Sequence, residues 1–552
     1  MDRRFGMSFS TEGDEIQTRS LYFVLFAALL ATVFILAKQL HDHKRLNAVF
    51  SEAALVLMVG MITGGITRSI QAISSTNQNT DDDAVAVESV LANSILSFSP
   101  NVFFMALLPP ILFHSGYGLR RELFYRHIKP IALFAAVGTL LSALVTGLSL
   151  YGIGRLGGLG AFQPSVLELL TFGSLIAATD TVSVVAVLQA KRVDPHLFYL
   201  TLGESALNDA VALVLFESFG ELLEKFGENG QGTLARSTLQ FGLDFSLAAV
   251  GSPALGILFG VGAALVFKRS DFRDHKMLEL GLYSLCMYVP YTIAECINLS
   301  GIVSIFFAGM SARRYIVPNL STETAHNGEA IFGLAAYLAE ICIFLELGMS
   351  LWGLKAKFSW AFIGWSLLAC LIGRAVAIYP LANLWNCSLK ESQLNDAFVE
   401  ATESFDIEVE KAQNDAGLFQ DDVSVSSAST SAQIGFASRI KRKRRTPVKR
   451  KDKKISLPMM HFLWFAGLRG AVAYACARKF PGANRDEFIA ATMFIVLFTI
   501  VIMGGATELV LGILKIATNV DEDKYMEEWH KQRMLKGAFH DFGMFRENDL
   551  VV

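Results

Sequence analysis

Two carboxylates in this chain lie where a charge is hard to keep. Asp209 ends the stretch Gly203-Glu204-Ser205-Ala206-Leu207-Asn208-Asp209 inside a long apolar run. Asp180 lies in Ala177-Ala178-Thr179-Asp180-Thr181-Val182-Ser183, in the run before it. A cation that leaves water needs oxygen ligands and at least one negative charge. A carboxylate that accepts a proton or a metal ion, but not both, couples the two without further machinery. Burial disfavours its charged form and a bound cation favours it, so binding one ion releases the other. Asp209 suits this role as the ion-binding carboxylate. Asn208 beside it is a neighbouring polar ligand or a helix-positioning group. Thr179, Ser183 and Asp180 can add oxygens from the adjacent run, with Asp180 a second anionic ligand for the metal ion.

The other charges in apolar runs need partners. Glu204 and Asn208 are four residues apart and share a helical face, while Asp209 is turned about 100° from Asn208. Arg374 lies in Ile372-Gly373-Arg374-Ala375 and Arg469 in Gly467-Leu468-Arg469-Gly470. Glu204 with Arg374 is the expected internal ion pair, which leaves Asp209 without a fixed counter-charge. Glu340 and Glu346, six residues apart and on different faces, are candidate additional groups. The competing reading is that all these charges pair with one another and merely hold helices together.

Such residues must be carried by membrane-spanning helices. Of 552 residues, 53% are hydrophobic and only 18% charged, with a mean hydropathy of +0.43. A soluble protein carries roughly a quarter charged residues. Between short charged patches lie apolar runs of the length a helix needs to cross a bilayer, about 20 residues. Inside lipid every backbone amide must be satisfied internally, so the runs are helices, and their continuity argues against a barrel. Each buried charge there costs at least about 2.5–3.5 kcal/mol on insertion scales and so calls for a role. The six cysteines fall singly and read as packing residues.

The runs give about 13 expected spans, near 21–40, 52–70, 99–118, 130–154, 165–190, 196–221, 242–267, 278–297, 299–312, 328–353, 358–387, 456–478 and 487–517. The fold class expected is therefore all-α and polytopic. Basic residues collect on alternate loops: Lys44 and Arg45, Arg120 to Lys129, Lys191 and Arg192, Lys268 to Lys276, Arg313 and Arg314, and Lys441–Lys454. Taking these as cytoplasmic places the N-terminus outside and the C-terminus inside. Residues 1–20 form an N-terminal segment with no cleavable signal evident, and 21–389 the first part of the membrane domain. Residues 390–455 pass from acidic through Ser-rich to basic, a composition expected to be a disordered cytoplasmic loop whose basic end can meet anionic lipid. The last two spans occupy 456–517 and a short cytoplasmic tail 518–552. The glycines around Arg469 and the polar Thr179-Asp180-Thr181 suggest broken helices, the layout of many secondary transporters built from inverted repeats. Span 5, with Asp180, would then pair with span 12, with Arg469.

At these residues the sequence resembles the eukaryotic sodium/proton exchanger family, the electroneutral branch of the monovalent cation/proton antiporters. The matching motifs, in the family's order, are Val102–Tyr117 around Leu108-Pro109-Pro110, and Gly203–Val211 with its Asn-Asp pair. Leu299-Ser300-Gly301-Ile302-Val303 through Arg314-Tyr315, Gly373-Arg374 with Ile378-Tyr379-Pro380, and Phe465–Ala471 follow. The resemblance spans about residues 50–390 and 456–515. It implies a 13-helix inverted-repeat fold with broken crossing helices, a homodimer, and one Na+ or K+ exchanged per H+ without a cofactor. It also implies that Asp209 binds the ion with Asn208 as partner. Asp180 and Thr179 would belong to the unwound helix, and Glu204 and Arg374 would form a conformational ion pair, with Arg469 in the facing break. Where most members have a proline after the first Asp, this chain has Thr181. The details Phe113–Tyr117 and Phe465–Leu468, with the short tail, are similar to endosomal and Golgi members more than to plasma-membrane ones.

A cation channel is the alternative from another class, but no filter loop or ring of identical charges is visible. A membrane-embedded enzyme would want a clustered His/Asp/Ser set, and the histidines are scattered, with His114 alone within a span. The chain is not expected to be an enzyme, nor to bind nucleic acid.

Overall fold

The computed structural model describes residues 24–40, 42, 51–76, 98–160, 162–229, 234–270, 272, 274–354, 358–417, 454–482, 484–521 and 524. Side chains are excluded at 74–76, 121, 122, 182, 183, 225–249 and 390–417. Segment 1–20 and the basic run before Lys454 therefore lie outside the described residues, as does most of the tail. Residues 1–381 with 457–518 make one compact unit, and 382–456 with 519–552 make a second. Asp180, Glu204, Asp209, Glu340, Glu346, Arg374 and Arg469 all belong to the first.

The described residues are helical, with no strand among them. In chain order the helices are α1 (Val24–Leu40), α2 (Glu52–Thr76), α3 (Leu108–Gly118), α4 (Arg121–Ala132), α5 (Thr139–Arg155) and α6 (Val166–Ala177). Then come α7 (Val182–Ala190), α8 (Pro195–Asn229), α9 (Leu234–Arg269), α10 (Lys276–Leu285), α11 (Val289–Cys296) and α12 (Gly301–Ser311). The series ends with α13 (Thr322–Ser350), α14 (Trp360–Gly417), α15 (Leu457–Phe465), α16 (Ala471–Arg478), α17 (Arg485–Phe498) and α18 (Thr507–Ile513). Among the described residues, six helices are long and apolar enough to cross a membrane unaided. The sequence count of about 13 also included runs that the structure divides. Run 165–190 becomes α6 and α7, run 278–297 becomes α10 and α11, and run 456–478 becomes α15 and α16. Among the described residues four segments loosen into π turns, one of them Leu133–Gly138, which joins α4 to α5.

Helix α14 continues through 390–417, the start of the segment read from sequence as a loop. Its composition explains this: Leu, Ala, Glu, Lys and Gln are good helix formers even where no apolar face can be buried. The rest of that segment, to 453, is not described.

Helices that cannot gain from the hydrophobic effect in lipid associate by close packing of small residues. The α2–α13 contact is one example. A Cβ on Gly60 would lie 2.4 Å from Leu345 O, and one on Gly348 would lie 2.4 Å from Leu57 O. Backbone meets backbone at both places. Gly348→Val is expected to lower stability by about 1–3 kcal/mol, the usual cost of overpacking. Thermal unfolding of the purified protein in detergent would measure it, and an unchanged melting temperature would contradict the contact.

Candidate functional site

Two of the divided helices meet at their breaks. Helix α6 stops at Ala177 and α7 begins at Val182; α15 stops at Phe465 and α16 begins at Ala471. The Asp180 amide donates to Leu468 O across the gap at 2.9 Å. A helix end leaves carbonyls or amides without intrahelical partners, and in a membrane no bulk water replaces them. Here side chains do so. Arg469 Nη1 donates to Ala177 O at 2.7 Å and Ala178 O at 3.0 Å, placing a cation at the C-terminal, negative end of α6. Asn208 Nδ2 donates to Ala177 O at 3.3 Å and to Thr179 Oγ1 at 2.8 Å. Ser205 Oγ donates to Thr179 O at 2.7 Å and accepts from the Thr181 amide at 3.4 Å. Arg469 is itself held by Thr499 Oγ1, 3.0 Å from its amide, and by Cys370 Sγ, 3.2 Å from Nε. The break at 178–181 thus forms with Thr181 where a proline would be usual, because these side chains satisfy what the helix leaves open.

The glycines of the second break make room for charges. A Cβ on Gly470 would fall 2.1 Å from both Cβ and Oδ2 of Asp180, so the Asp180 side chain packs directly on that backbone. It sits there beside the start of α16, where the helix dipole favours an anion. A Cβ on Gly467 would fall 2.7 Å from Arg374 Nε. A side chain at either position would force its charged neighbour to shift.

Arg374, on α14, grips Glu204, on α8, with both ends of its guanidinium: Nη1 pairs with Oε1, and Nη2 donates to Oε2 at 2.8 Å. The two side chains are only 6% and 2% exposed. Nη2 also donates to Leu463 O on α15 at 3.0 Å. Asp209, one turn further along α8, is left out of this arrangement. It makes no hydrogen bond or ion pair among the described residues, and its Oδ1 is sealed from solvent without a partner. Asp180, Arg469 and Glu204 are the charged groups close enough to act on it.

Of the remaining residues singled out from sequence, Thr179 is at the break, fully buried. Glu340, on α13, lies within electrostatic reach of Asp180 and of Glu52. Glu346 has a buried Oε2 without a partner and no charged group acting on it among the described residues. Neither carboxylate bonds into the break. The Ser183 side chain is outside the description. Sequence reading passed over Ser205, Thr139, Thr499 and Cys370. Ser205, four residues before Asp209 and so on a neighbouring face, had a signal in its spacing. The other three had none, since they reach the site from distant helices.

A family model described as the transmembrane sodium/hydrogen exchanger matches residues 23–399. The chain belongs to the sodium/hydrogen exchanger family. Sodium/hydrogen exchanger 8 of Homo sapiens is 32% identical over 497 residues, covering 89% of this chain and 71% of that one. Sodium/hydrogen exchanger 9 of Rattus norvegicus is 31% identical over 439 residues, covering 78% of this chain and 58% of that one. The structure of the sodium proton antiporter MjNhaP1 from Methanocaldococcus jannaschii at pH 8 superposes with a TM-score of 0.55 at 16% identity, over 90% of this chain and 98% of that one. At that identity the likeness concerns the fold: this exchanger-family chain is a multi-pass helical membrane protein with an antiporter architecture.

Removing one member of a buried ion pair strands the other charge, typically at about 3–5 kcal/mol. Arg374→Met is accordingly expected to lower thermal stability by that order, and Glu204→Gln to reduce stability or turnover more than cation affinity. Thermal unfolding alongside cation titration of the purified variants separates the two effects. Retention of wild-type behaviour by both variants would deny the pair its role.

Proposed function

We propose that this protein exchanges Na+, or K+, for H+ across its membrane, one for one, with Asp209 as the carboxylate that carries either ion. The observation that carries the reading is the contrast between two acids on α8: Glu204 is fixed in an ion pair, while Asp209 has no hydrogen-bond partner and no salt bridge among the described residues. Burial of a carboxylate oxygen without a partner disfavours bare charge, and a proton or a metal ion relieves it. Its neighbours Asn208, Asp180 and Thr179 lie at the gap between the broken helices, and Ser183 follows Asp180 by three residues in sequence. Arg469 offsets negative charge there, and the Glu204–Arg374 pair is neutral within itself. Whether Asp209 is loaded with a proton or with a monovalent cation, the site then has the same net charge. Electroneutral exchange follows from that equality.

The names of the relatives favour sodium as the cation; potassium remains within the proposal because the two ions differ in size and not in the ligands they accept. A homodimer and an endosomal, Golgi or vacuolar membrane complete the proposal, on the strength of the motifs at Phe113–Tyr117 and Phe465–Leu468. No observation favours a channel.

Asp209→Asn keeps the shape of the side chain and removes its charge. Purified protein in proteoliposomes, given a pH gradient and radiolabelled Na+ or Rb+, is expected to take up cation in the wild type and none above background in the variant. Both should unfold at similar temperatures. Wild-type uptake by the variant would overturn the assignment of Asp209.

A further inference from the structure

Asn208 is bonded on three sides, and the third bond comes from a helix that contributes nothing else to the break. Thr139 Oγ1 donates to Asn208 Oδ1 at 2.6 Å, with both residues buried. Thr139 is the first residue of α5 and directly follows the π turn Leu133–Gly138. A π turn adds a residue to one helical turn and so rotates everything beyond it by about 100°. Thr139 faces α8 because of that insertion.

The orientation of the Asn208 amide is decided by its surroundings. Ala177 O can only accept, so the nitrogen must face the break, where it also donates to Thr179 Oγ1. The oxygen, on the other side of the amide, then points away from the break and toward α5. There Thr139 supplies the donor. Without it a buried acceptor would be left open, and the amide could satisfy it only by turning and releasing Thr179.

We infer that Thr139 is a positioning residue for the ion site: it locks the Asn208 amide with its nitrogen toward the unwound segment, making Asn208 a strut for that segment and not an oxygen ligand of the transported cation. The inference rests on the exchanger reading above and adds to it a residue that acts through Asn208. The cation beside Asp209 therefore draws its neutral oxygens from the unwound segment, whose geometry depends on the lock.

The test compares Thr139→Val, Thr139→Ala and Thr139→Ser in proteoliposomes, with Na+ dependence measured under a fixed pH gradient. Valine keeps the shape and loses the donor, and serine keeps the donor. Thr139→Val is expected to raise the cation KM about fivefold, the factor that one uncharged hydrogen bond is worth, and serine to restore it to within about twofold. A loss of folded protein alone would lower the maximal rate and leave KM unmoved. If valine proves unstable, the Na+-induced rise in melting temperature is read for Thr139→Ala in detergent, where the concentration giving half the rise should increase by the same factor. An unchanged cation dependence in the donor-less variants, or failure of serine to rescue, overturns the inference. Absence of exchange by the wild type would instead sink the exchanger reading, and the melting series would still judge the lock.

Discussion

Unwinding a helix inside a bilayer exposes backbone groups that neither water nor a neighbouring turn can satisfy, and this protein interrupts two helices where they touch each other. Much of what surrounds Asp209 answers that constraint. Arg469, Asn208 and Ser205 take up the loose carbonyls, hydroxyl and amide of 177–181, and Asp180 closes the gap with a backbone bond to Leu468. Most of the backbone groups that the first break leaves open are thereby paired. Asp209 stands out for the opposite reason: it is the carboxylate in this neighbourhood that the repair leaves unused.

The buried Glu204–Arg374 pair fits the same logic. Such pairs add little net stability, since the cost of dehydrating two charges offsets most of their attraction. What the pair contributes is geometry, because the guanidinium that binds Glu204 also holds Leu463 O, on the half-helix leading into the second break. One side chain thereby sets the distance between the Asp209 helix and the Arg469 break.

Much of this was legible in the sequence where chemistry is local. Ionisable residues in apolar runs are too costly to be accidental, so Asp180, Asp209, Glu204, Arg374 and Arg469 announce themselves. The Gly467 and Gly470 spacing marked a break, but only coordinates show that each glycine clears space for one particular charge, Arg374 and Asp180. Thr139 was invisible: a threonine in an apolar helix looks like packing until a π turn aims it at a residue 69 positions away. The helical start of 390–417 was missed because acidic, Ala- and Leu-containing sequence serves a loop or a solvated helix equally well.

The grip of α14 on α15 extends beyond Arg374. Trp464 Nε1 donates to Leu371 O at 3.1 Å, and Tyr379 Oη meets His461 Nδ1 at 2.8 Å. Three polar clasps along one seam, with Glu204 joined to the middle one, weld α8, α14 and α15 into a single mechanical piece. Displacing any one of the three against the others breaks polar contacts in a setting where no bulk water replaces them.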